Sequence, residues 1–230
     1  MQTDIENNED RNKLGWFMLL VAPFILNDFS NIFIADFKTW LVIDYLFVKA
    51  FPLFLIVYLL RTRRIILADL GLKMIAPSQL VLWTIAVALL GTAIDQIGWR
   101  FFENVLPSTK LGGMPRISIP WLNMIDLYFG LICVGIFEEI IFRGLAFTVF
   151  RAFVKSTTTL FLITALLFGF MHWSLGLHAI VNTAIIGAVF MVVMWRKGSV
   201  MPTIIAHFLV NYVAFSGMIP YNSPWFDFLK

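Results

Sequence analysis

Charge is scarce in this chain. Only 13% of its 230 residues are Asp, Glu, Lys or Arg and 60% are hydrophobic, whereas soluble domains average about 25% and about 45–50%. Such a composition excludes a sizeable water-facing domain. Cysteine is reduced to Cys133, which excludes an internal disulfide. The Lys and Arg residues gather at the ends of apolar runs and form no basic face, so nucleic acid is excluded as a partner. The N-terminus, Met1 to Lys13, is polar and acidic (Asp4, Glu6, Glu9, Asp10). It lacks the basic region and small-residue cleavage site of a secretory signal, so the first apolar segment is expected to be retained as a membrane span. The sequence also shows no internal repeat and no low-complexity tract.

Long apolar runs are what it has instead. A span needs roughly 20 apolar residues. Candidates are residues 15–36, 39–60, 79–98, 122–150, 156–173, 178–195 and 201–218. They predict an all-α, polytopic transmembrane helical bundle of about seven spans (about six to eight) around a membrane-embedded polar cavity. Asn27, Asp28, Asn31 and Asp36 interrupt the first run and predict a tilted or broken helix. The segment Ile65 to Ser78 reads as a surface helix or loop, and residues 101–120, with Pro107, Gly112, Gly113 and Pro115, as the main outer loop. Pro202 suits the first turn of the last helix.

Ten basic residues fall on one side of a seven-span arrangement, anchored by Arg61, Arg63, Arg64, Arg196 and Lys197. Five, Lys38, Arg100, Lys110, Arg116 and Lys230, fall on the other. The positive-inside rule then puts the N-terminus in the cytoplasm. The expected organisation is a cytoplasmic polar N-terminus (1–14), accessory transmembrane helices (15–119), a catalytic core (120–218) and a short C-terminal tail (219–230).

Inside these runs stand Glu138, Glu139, Arg143, His172, His207 and Asn211. An ionisable side chain in a span costs several kcal/mol or more unless it has a partner or a function. Glu139 and Arg143 are spaced i, i+4 and so share a helix face, with the acid N-terminal to the base. Glu138 lies about 100° away in projection, free to face a cavity as a general base. His207 and Asn211 share a face in the same way, and two donors aimed at one oxygen are what an oxyanion needs. A structural Glu–Arg pair and an interhelical His–Asn clamp are the plain alternatives. Counting from Arg151, Thr158 and Lys197, the residues Glu138, His172 and His207 lie about 20, about 21 and about 15 Å along their helices. Three helices thus bring polar groups to one level.

The order Glu-Glu-x-x-x-Arg, Phe-x-x-x-His and His-x-x-x-Asn, here Glu138 to Arg143, Phe168 to His172 and His207 to Asn211, resembles the CPBP family of membrane proteases. That family includes the type II CAAX prenyl endopeptidases and bacterial proteins linked to bacteriocin processing or self-immunity. The resemblance covers roughly residues 120–218. It implies that Glu138 and His172 activate a water molecule, that His207 and Asn211 hold the oxyanion, and that Glu139 and Arg143 support them. It also implies an integral protein of the bacterial cytoplasmic membrane, with a membrane-associated peptide or protein as substrate and the lipid bilayer as surroundings. The family picture is metal-free. Zinc held by Glu138, His172 and His207 is the alternative, without the His-Glu-x-x-His helix that would mark it strongly. Two further readings are a non-catalytic immunity or scaffold protein and a small transporter using Glu138, Asp44, Lys49, Asp95 and the histidines as a proton path. A simple Asp44–Lys49 pair within or between spans is favoured over the last.

Overall fold

The computed structural model describes residues 2–221 and 223–229; Met1 and Lys230 lie outside the described residues, as do the side chains of Asp4 and Glu6. Among the described residues every regular element is helical. The principal rods are α1 (Gln2–Asn27), α2 (Phe37–Arg61), α3 (Pro77–Val105), α4 (120–153), α5 (Thr157–Phe170), α6 (Leu177–Lys197) and α7 (Met201–Phe215). Four stretches are long and apolar enough to cross a membrane: Glu9–Phe33, Phe37–Arg61, Pro77–Val105 and Leu177–Lys197. Apolar side chains such as Phe54, Leu89 and Leu162 project outward from the bundle, where a lipid-facing surface needs them. The chain is an integral membrane protein.

Local chemistry sets the helix ends. Pro77, Pro120 and Pro202 stand in the first turns of α3, α4 and α7, where no intrahelical N–H bond is lost. Asp36 caps α2 by accepting from the backbone N–H of Thr39 at 2.8 Å, and Ser156 caps α5. Gly198, at φ 63°, closes α6 in a left-handed turn that favours glycine.

The interruption expected in the first run falls at Asp28. Its carboxylate accepts from the backbone N–H of Ser174 at 2.7 Å and from Asn31 Nδ2 at 3.0 Å, tying the end of α1 to the turn after α5. One expectation needs correction. Residues 101–105 continue α3, because Arg100 and Glu103 find partners in the chain after α7: Arg100 Nε donates to the Tyr221 carbonyl at 3.1 Å, and Tyr221 bonds Glu103. His178 lies in the first turn of α6 and is buried edge-on against Trp99. Residues 65–71 form a loop whose middle, Ile66 to Ala68, is exposed, while its ends turn inward. Ile65 and Leu70 are buried, and the backbone at Gly71 (φ 66°) packs on Gly144 of α4, where any Cβ on Gly144 would collide with Leu70.

Packing positions the middle of α4. The chain pairs α5 with α6 and wedges α7 between α3 and α4. Gly135 makes the last contact close: a Cβ there would come within 3.0 Å of the Ile204 carbonyl of α7. One turn further along, α4 carries Glu138 and Glu139 toward that same helix.

Candidate active site

Glu138 and Glu139 end a regular stretch of α4, and residues Ile140–Leu145 continue it as a π turn that contains Arg143. Such insertions re-aim side chains and are frequent at functional sites. Glu139 Oε1 lies 3.1 Å from Arg143 Nη1 across this turn. The same oxygen accepts the Nδ1–H of His207 from α7 at 2.8 Å, since an ionised carboxylate can only accept. Nε2 of that ring then faces Glu138, 3.6 Å from Oε2. That gap is too long for a direct hydrogen bond, so the two groups face each other without bonding. The helix face of Glu138 is therefore not free, as its spacing suggested; it looks onto an imidazole already fixed by Glu139.

The guanidinium is held mainly by rings. Arg143 Cζ sits 3.7 Å over the Phe168 ring of α5 and 5.5 Å from that of Phe190 on α6. Among the described residues Nη1 and Nη2 make no aligned hydrogen bond, so Coulomb attraction to Glu139 and stacking compensate for the burial. Phe168 also stands edge-on to His172 and His207, and Phe190 edge-on to His207. His172 follows α5, with Nδ1 3.2 Å from the Phe168 carbonyl, which leaves Nε2 as its free ring nitrogen.

Exposure layers these groups. Glu139 and Arg143 are 0% and 1% exposed, Glu138 and His207 6% and 7%, while His172 and Asn211 are half-buried. Asn211 lies one turn beyond His207 on α7, and its side chain makes no hydrogen bond among the described residues. Glu138, Glu139, Arg143 and His207 thus form one contiguous cluster. His172 joins it through Phe168, and Asn211 stands above it on the more open side.

Among the described residues no three His, Cys, Asp or Glu side chains are gathered as metal ligands. Glu138, His172 and His207, the expected zinc set, are not gathered as such a group; Nδ1 of His207 is bound by Glu139 and Nδ1 of His172 faces a carbonyl, so Nε2 is the nitrogen each ring has left to offer. An apolar groove of about 660 Å³ runs between α3 and α7 past Ala88, Thr92, Leu209 and Tyr212, and none of the cluster residues lines it. Phe190 is the residue that sequence reasoning missed; an aromatic in a uniformly apolar helix carries no local signal of a cation beneath it.

Residues 120–213 match the family described as Type II CAAX prenyl endopeptidase Rce1-like. The match supports membership of the CPBP family of membrane proteases and spans the whole cluster. Comparison with curated proteins and with solved structures gives no match.

Proposed function

We propose that this chain, Rce1-like over residues 120–213, is an intramembrane endopeptidase that hydrolyses a peptide bond of a membrane-associated substrate with water activated by Glu138 and His172. The observation that carries this is the fixed imidazole of His207. Its Nδ1 is bound by Glu139 at 2.8 Å, so its Nε2 is turned toward Glu138, 3.6 Å from the carboxylate. Helices α1 to α7 make seven crossings in this reading, with the Arg61, Arg151 and Lys197 ends in the cytoplasm of a bacterium.

Glu138 takes a proton from the water as its oxygen adds to the scissile carbonyl carbon, and Nε2 of His172 orients that water. The negative charge that develops on the carbonyl oxygen is met by the amide of Asn211 and by His207. Collapse breaks the C–N bond, and the proton held by Glu138 passes to the leaving amine, leaving a carboxylic acid product. Arg143, 3.1 Å away, keeps the Glu139 carboxylate in place. No step is routed through a metal.

The chemistry is tested with purified protein in lipid vesicles and two fluorescence-quenched peptides of one sequence, one farnesylated near its C-terminus and one not. Cleavage of either that is lost in His172→Ala and Asn211→Ala supports the assignment. Preference for the farnesylated peptide names a prenylated substrate class, and equal cleavage names the peptide alone. Cleavage unaltered by both substitutions overturns the residue roles.

A further inference from the structure

A second group of buried polar residues lies outside the family match. Asp44 and Lys49 form an ion pair on α2, both under 9% exposed, and Asn27 of α1 donates to Asp44 at 3.2 Å. Lys49 Nζ also lies 4.5 Å from the centre of the Tyr45 ring. The Tyr45 hydroxyl stands beside Asp126 of α4 across Gly130, where a Cβ would overlap the Asp126 carboxylate and approach the Tyr45 oxygen to 3.0 Å. Both helices adopt π turns here, Tyr45–Ala50 and Asp126–Gly130. A simple clamp between helices needs one pair of charges; here the Asp44–Lys49 pair also takes the Asn27 amide and the Tyr45 ring, and the Tyr45 hydroxyl stands beside a second carboxylate, Asp126. That is expensive in a bilayer without a further use.

The placement gives the group a direction. Asp126 lies in the second turn of α4, close to the Pro120 end. Lys49 lies about 18 Å along α2 from Arg61, and Glu138 about 20 Å along α4 from Arg151, so the two share a level. The Tyr45–Ala50 turn packs directly on the Leu131–Glu139 stretch. Asp126, Cys133 and Glu138 follow one another in that order along α4. The row therefore descends from one end of the bundle to the carboxylate that the proposed hydrolysis uses.

We propose that Asp126, Tyr45, Asp44 and Lys49 form the hydrophilic passage that brings water from the Pro120 end of α4 to Glu138. Lys49 is its innermost member and a positioning residue for the reaction. The inference rests on the hydrolytic reading, because a hydrolase enclosed by lipid needs a supply of water as well as a base. Polar rows of this kind are how water or protons cross an apolar interior.

Cys133, the sole cysteine, sits half-buried beside this row and reports on it without any mutation. Membrane vesicles of both orientations are treated with a charged, impermeant methanethiosulfonate, which reacts with a hydrated thiolate and not with a lipid-facing thiol. A Met114→Cys protein in a Cys133→Ser background reports which side carries the 106–119 loop. The passage predicts modification of Cys133 from that side only. It predicts modification slowed about tenfold in the charge-neutral pair Asp44→Asn/Lys49→Met, with kcat lowered about tenfold, KM unchanged, and Lys49→Arg near native. Should the pair not fold, Asp126→Asn alone serves as the blocking variant. A Cys133 inert to the charged reagent from that side, or labelled equally fast in the blocking variant, overturns the passage. Labelling needs no substrate, so that failure is distinct from failure of the protease reading.

Discussion

The Glu139 carboxylate lies 2.8 Å from Nδ1 of His207, joining α4 to α7 at a point where neither residue is more than 7% exposed. The same Oε1 faces Arg143 at 3.1 Å, so one buried anion holds an imidazole on one side and a guanidinium on the other. This division of labour leaves Glu138, its neighbour in sequence, as the carboxylate available for chemistry. Two adjacent glutamates acquire different tasks because one turns toward fixed cations and the other toward a ring edge.

Removing Glu139 is therefore expected to harm stability first. Glu139→Ala strands Arg143 and His207, and breaking a buried pair costs about 3–5 kcal/mol. The double variant Glu139→Ala/Arg143→Met is expected to recover a large part of the loss, since no guanidinium is then left uncompensated. Thermal unfolding in detergent checks both, and a double variant no more stable than the single one contradicts the pairing.

The stacking of Arg143 on Phe168 at 3.7 Å makes a second expectation. Phe168→Leu keeps an apolar side chain but removes the ring face, at a cost of about 0.5–2 kcal/mol. Combined with Arg143→Met, most of that cost should vanish, because the ring face then has no guanidinium to hold. Additive losses would show that Phe168 acts only through packing against His172 and His207.

Chelation gives a third. With no three His, Cys, Asp or Glu side chains gathered as ligands among the described residues, the account predicts that cleavage survives prolonged treatment with a strong zinc chelator at its starting rate. Loss of cleavage restored by added zinc would assign a metal to Glu138, His172 and His207 and displace the scheme above.

Much of this was legible in the sequence for simple physical reasons. Apolar runs of bilayer length mark helices, and i, i+4 spacing alone sets Glu139 beside Arg143 within one element. The rest depends on which helices meet. That His207 is clasped by Glu139 follows from Gly135 letting α7 close on α4, which no local pattern encodes. Residues 101–105 read as loop because Arg100 and Glu103 look like surface charges, yet Tyr221, more than a hundred residues later, takes both. Ile65 and Leu70 were hidden by the charges around them, Arg63, Arg64 and Asp69, although both side chains enter the core. The Asp44–Lys49 pair was readable as a pair, whereas its neighbour Asp126 required the packing of α2 on α4.

The central claim is that Glu138 is the base of a protease, and the most direct measurement is a comparison of peptides in living cells. Membrane and secreted peptides are profiled by mass spectrometry from cells carrying the native chain or Glu138→Gln at equal abundance, a change that keeps shape and removes the base. The account predicts new C-termini that disappear in the variant, with cleavage reduced about 10²- to 10⁴-fold. Identical peptide profiles, from cells in which the variant still performs the native protein's role, would contradict it and leave the cluster as a structural or partner-binding element.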